Sequence, residues 1–190
     1  MGKRITLALT GASGSGFGVA VLKRLAANDA VETITLLLSP TGRRCLADEC
    51  GWAEKDLGAI HAKVRLQSEK DLGATISSGS HRQDGMALVP CSAGALGRIA
   101  SGTSDTLISR AADVCLKERR PLVLCLRETP LNRLHLENML RVHDAGAIVM
   151  PLMPSFYYGP KSLEDLFDAF ATRVLDQLGL VEEDARRWKG

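Results

Sequence analysis

Five short apolar runs recur along the chain, and each is continuous: RITLAL (4–9), TITLLL (33–38), MALVPC (86–91), LVLCL (122–126) and AIVM (147–150). A strand with one face in water alternates apolar and polar residues, so an unbroken run must be covered on both faces. Between the runs lie FGVAVLKRLAA, RRCLADEC, ALGRIA, TLISRAADVCLKE and LHLENMLRVHDA, each with apolar residues at helical spacing. Strand and helix in alternation specify an α/β fold: a Rossmann-like, doubly wound, mainly parallel sheet flanked by helices on both faces. The polar stretch 51–85 breaks the rhythm and reads as a loop over the sheet edge, with one more strand around 61–66.

At 190 residues with 45% hydrophobic content, the chain suits one domain spanning 1–190 with a sizeable core. Its net charge of +2, from 24 basic and 22 acidic residues, argues against a general nucleic-acid or membrane-surface binder. The apolar run near the N-terminus is too short for a signal segment or a membrane span, so a cytoplasmic protein is expected. The five cysteines form no C-x-x-C pair and no zinc-ligand spacing, and the four histidines are scattered, so no metal site is expected. Cys91 alone ends a strand, where a redox role competes with a structural one.

In a doubly wound sheet the ligand sits beyond the carboxyl ends of the strands. Those ends carry Thr10-Gly11-Ala12-Ser13-Gly14, then Ser39, then Cys91-Ser92-Ala93-Gly94, then Arg127-Glu128, then a loop through Tyr157. Backbone N–H groups in a glycine-rich turn that opens a helix suit a phosphate. The glycines at 11, 14, 16 and 18 do not satisfy G-x-G-x-x-G, and Ser39 stands where a nicotinamide site wants an acidic residue. Tyr157 and Lys161 imitate the Y-x-x-x-K pair of short-chain dehydrogenases, but Gly159 and Pro160 intervene and a helix is not expected there. Arg110, Asp113 and Lys117 read as a salt-bridged helix face. Ser162 with Asp165 reads as a capping box opening a last helix, whose stripe runs from Leu163 through Leu166, Phe167, Phe170 and Val174 to Leu178.

The segments TGASGSGFG, PCSAGALGRIASG, SDTLISRAADVCLKERRPLVLCLRETPLNRLHLENM and MPSFYYGPKSLEDL together resemble the UbiX-type flavin prenyltransferases over almost the whole chain. The resemblance implies an enzyme that binds FMN and needs no metal. It would attach a dimethylallyl group from dimethylallyl phosphate to reduced FMN, first at N5 and then through C6 to close a fourth ring. The product, prenylated FMN, serves a UbiD-type decarboxylase. By the same similarity Gly11, Ala12 and Ser13 hold the flavin with Ser39, the turn Ser92, Ala93, Gly94, Ala95, and Arg127. Lys117, Arg127, Tyr157 and Arg173 match positions around the prenyl phosphate, while Glu49, Lys117, Glu128 and Ser13 match catalytic positions. Lysine and arginine neutralise a departing phosphate, tyrosine adds a donor, and Glu128 makes sense beside those oxygens as a proton carrier. The resemblance further implies a homo-oligomer, often a dodecamer, with sites near subunit contacts.

Two positions depart from the pattern: Leu72 where some relatives have tryptophan, and Ala95 where some have threonine. They bear on rate or flavin affinity more than on the reaction. A cysteine-directed flavin decarboxylase is disfavoured because Ser92 replaces its asparagine-bearing motif. A direct aromatic acid decarboxylase and a non-catalytic flavin carrier remain as alternatives, as does a prenyl diphosphate donor.

Overall fold

The computed structural model describes residues 2–181 and 188. The expected rhythm is present: β1 (Lys3–Leu9), α1 (Ser15–Ala27), β2 (Val31–Leu38), α2 (Pro40–Cys50), α3 (Glu54–Gly58), β3 (Val64–Gln67), β4 (Gly85–Cys91), α4 (Ala93–Ala100), α5 (Leu107–Lys117), β5 (Leu122–Leu126), α6 (Arg133–Asp144), β6 (Ile148–Val149) and α7 (Leu163–Gln177). The six strands form one sheet in the order β3-β2-β1-β4-β5-β6, and every pairing is parallel. Chain order reverses between β1 and β4, so the crevice beyond their carboxyl ends is the topological switch point.

The runs of β4 and β5 are wholly buried and those of β1 and β2 largely so, whereas the edge strand β6 is only partly covered, contrary to the expectation for its run. Ile5, Leu7 and Leu9 of β1 join α1, α2 and α7 in one core layer, while Ala8 of β1 and Met86 and Leu88 of β4 meet α4, α5 and Val142 of α6 in the other. Close approach on the first face depends on Gly18, where an added Cβ would lie 2.3 Å from the carbonyl oxygen of Val89. The capping box opening α7 is formed by Ser162 and Asp165. Its stripe divides: Phe170, Val174 and Leu178 are buried, and Leu163 is exposed. Among the described residues no helix is long and apolar enough to cross a membrane.

Candidate functional site

The glycine-rich turn is held by its own protein. Gly14 has φ +112° and starts α1 with no side chain to cap it. A carboxylate from the last turn of α2 takes that role: Glu49 Oε2 accepts the backbone N–H of Gly14 at 2.9 Å and of Ser15 at 2.8 Å. Burial pushes the Glu49 carboxyl up, but the N–H groups of Ser15 and Gly14 and the hydroxyls of Ser13 and Ser15 outweigh it and hold it below the usual glutamate range. The expectation that this turn offers its helix-opening N–H groups to a phosphate is therefore corrected at Gly14 and Ser15. An internal anion already satisfies the positive end of α1.

A cavity of about 330 Å³ opens next to it, lined by Gly11, Ser39, Ser92 and Ala95 of the expected flavin residues. Three helix N-termini face it, each capped by its own hydroxyl. Ser39 accepts from Gly42 N at 3.0 Å, Ser92 from Ala95 N at 3.2 Å, and Thr106 from Ser109 N at 3.2 Å. Ala93 and Gly94 form the first turn of α4. Thr10 braces the crevice: its hydroxyl donates to the Pro90 carbonyl at 2.9 Å and accepts Ser92 N–H at 2.8 Å. Thr41, Glu69, Arg98 and Thr106 also line the cavity and were not singled out from sequence. Arg98 is paired with Asp105 at 3.3 Å. Converging helix N-termini, hydroxyls and a guanidinium suit a phosphorylated polyol such as the phosphoribityl arm of FMN.

A second cavity, of about 240 Å³, is lined by Tyr157, Tyr158 and Arg173 together with Met150, Met153 and Phe170. Arg173 pairs with Asp176 at 2.8 Å. Residues 157–161 are non-helical, with Gly159 at φ +67°, so the Tyr157–Lys161 imitation fails as expected. The loop after β6 is tied to the end of β5 by Leu152 N–H donating to the Leu126 carbonyl at 2.9 Å. Leu152 also reaches the glycine turn, its Cδ1 lying 3.2 Å from where a Gly14 Cβ would be. Arg127 and Glu128 follow β5 directly, at this same edge. The Arg127 guanidinium makes no hydrogen bond or ion pair among the described residues, and Glu128 accepts the Thr129 N–H at 3.1 Å.

Lys117 is elsewhere. It closes α5 at the opposite, amino edge of the sheet, paired with Glu118 and adjacent to Gly79. The five residues of β5 separate it from Arg127 by roughly 15 Å at ~3.3 Å per residue. The expected grouping of Lys117 with Arg127, Glu128, Tyr157 and Arg173 is thus not made within one chain. Arg110 pairs with Asp113 at 2.7 Å, as expected for that helix face, and its Nε donates to the Ser77 carbonyl.

Cys91 is fully buried, and burial pushes its thiol up to about 12, which favours a structural role over a redox one. Among the described residues no group of three histidine, cysteine, aspartate or glutamate side chains is placed to hold a metal ion.

Comparisons with known proteins agree with this geometry. The family model described as Flavoprotein matches residues 1–174. Flavin prenyltransferase UbiX of Deinococcus radiodurans is 46% identical over 98% of this chain and 93% of its own. The crystal structure of AnUbiX in complex with FMN and dimethylallyl pyrophosphate superposes with a TM-score of 0.91 at 43% identity, covering 100% of this chain and 99% of that one. A dodecameric FMN-dependent UbiX-like decarboxylase from Escherichia coli O157:H7 superposes with a TM-score of 0.93 at 41% identity, covering 98% and 100%. With this identity across nearly the full length of both chains, the protein belongs to the UbiX-type flavin prenyltransferases of the Flavoprotein family.

Proposed function

We propose that this protein transfers a dimethylallyl group from dimethylallyl phosphate to reduced FMN and releases prenylated FMN to a UbiD-type decarboxylase. The observation that carries the reading is the pairing of two anion-suited cavities at one sheet edge, in a chain whose relatives are flavin prenyltransferases. Storage of a flavin needs one such cavity; group transfer from a phosphate ester needs two.

The first cavity fits FMN, with Gly11, Ala12, Ser13, Ser39, Ser92, Ala93, Gly94, Ala95 and Arg127 as its contacts. The phosphate belongs at the converging N-termini of α2, α4 and α5, because Glu49 occupies that of α1. When bound, the reduced flavin supplies the nucleophile of the reaction. Arg127, Tyr157 and Arg173 hold the prenyl phosphate and stabilise its departure as an anion. Glu128, next to Arg127, holds or delivers a proton at those oxygens, and Ser13 with Glu49 orders the flavin edge at the glycine turn. Apolar Met150, Met153 and Phe170 give the allylic group an apolar wall, with Phe170 the buried part of it.

Lys117 joins this chemistry only from a neighbouring copy, since its own chain holds it at the far edge. The functional protein is therefore a homo-oligomer with composite sites, in keeping with the dodecameric Escherichia coli relative. It acts in the cytoplasm as one unit over 1–190. The direct test couples the protein to an apo UbiD-type decarboxylase. Activity appearing only with this protein, reduced FMN and dimethylallyl phosphate together supports the proposal. Activity restored equally by FMN alone overturns it in favour of a carrier.

A further inference from the structure

Glu69 lies in the loop after β3 and is 7% exposed. Its backbone carbonyl accepts the Leu107 N–H at 2.7 Å, which pins the residue to the first turn of α5. The residue lines the flavin cavity. Among the described residues the carboxylate has neither a hydrogen bond nor an ion pair. Arg43 lies within electrostatic reach, but its guanidinium is bonded to Glu54 at 2.6 Å. The carboxylate oxygens are open to solvent in the cavity, and a ligand that displaces that solvent must supply donors in its place or leave the charge unpaired.

A phosphate cannot do so, because like charges repel. Hydroxyl groups can. The hydroxyls of Ser39, Ser92 and Thr106 are committed to capping their own helices, so donors must come from a ligand. Resting on the flavin reading above, the geometry points to Glu69 as a specificity-determining residue that accepts hydrogen bonds from the ribityl hydroxyls of the flavin. The cavity is thereby divided: helix N-termini and Arg98 attract the phosphate, and Glu69 selects a polyol arm.

The test is a fluorescence titration of the intact oligomer with FMN and with riboflavin, in the wild type, Glu69→Gln and Glu69→Ala. Thermal melting of each flavin-free protein accompanies it. Both flavins carry the ribityl chain, so Glu69→Ala weakens both by the same factor, about tenfold or more, the scale of hydrogen bonds to a charged group. Glu69→Gln, which keeps one acceptor, falls between. Flavin-free Glu69→Gln melts at about the wild-type temperature, because without flavin the carboxylate faces solvent in the cavity. FMN binding that tightens while riboflavin binding does not would show that Glu69 only repels phosphate, and would overturn the inference. So would unchanged affinities, or a lower flavin-free melting temperature, which marks a structural carboxylate. A wild type that binds neither flavin removes the flavin reading itself, and the inference with it.

Discussion

The Glu49 carboxylate lies 2.8 Å from the backbone nitrogen of Ser15, so a side chain from α2 closes the N-terminus of α1. The glycine turn is therefore a joint between two helices before it is a ligand loop. Substituting Glu49→Gln replaces a charged acceptor by a neutral one and should cost about 1 kcal/mol or less at neutral pH, given capping energies and solvent screening of an exposed group. Because the native pKa is depressed, this increment is fully present above the unfolded value and is lost as pH falls through the native one. Melting temperatures of the wild type and Glu49→Gln should differ at pH 7 and converge as the pH is lowered below about 4. A constant difference down to pH 2 would contradict the capping role.

Composite sites make a complementation prediction. Lys117→Ala and Glu128→Gln each abolish most prenyl transfer as homo-oligomers, while both retain FMN. Mixed oligomers reassembled from the two variants contain some sites with a good lysine from one copy and a good carboxylate from the other. Activity should reappear in the mixture, to about a quarter of wild type for random mixing of two-chain sites. A mixture as inactive as its components would place Lys117 outside the site.

Thr10 is 3% exposed and holds the end of β1 against the turn after β4. Thr10→Val removes the hydroxyl at nearly constant volume and leaves the Ser92 N–H without its partner, while the Pro90 carbonyl keeps the Thr10 backbone N–H at 3.1 Å. The expected cost is about 1–3 kcal/mol, read from denaturant unfolding, together with weaker FMN binding because Ser92 caps α4 from this position. A variant of wild-type stability would show that water replaces the hydroxyl.

Cys91 should be chemically silent. Its thiol is pushed up to about 12, and the Cys115 thiol likewise, whereas Cys45 and Cys50 are partly exposed. Alkylation of the native protein near pH 8, followed by peptide mass mapping, should label Cys45 and Cys50 first and Cys91 only after unfolding. Early labelling of Cys91 would reopen a redox role.

Much of this was written in the residues. The continuous runs identified the strands because burial on both faces leaves no room for alternation, and Ser162 with Asp165 marked α7 because a capping box has fixed spacing. The helix α3 escaped because its five residues are too few to show a period. Thr41, Arg98 and Glu69 went unnoticed because they belong to three segments that only the fold brings to one cavity. Thr106 and Ser109 carried a capping signal that points to this cavity once α5 is placed. Lys117, assigned to the site by resemblance, does not meet Arg127 within its own chain, because α5 and β5 run antiparallel and put the two at opposite edges, a separation that no reading of one chain's sequence shows.

The central claim is prenyl transfer, and its most direct measurement is the mass of the flavin. The purified protein is incubated anaerobically with reduced FMN and dimethylallyl phosphate, and the flavin is extracted for mass spectrometry. The account predicts a flavin heavier by one prenyl unit, formed with the wild type and lost with Glu128→Gln. Unmodified FMN, recovered from protein shown to have bound it, would contradict the account.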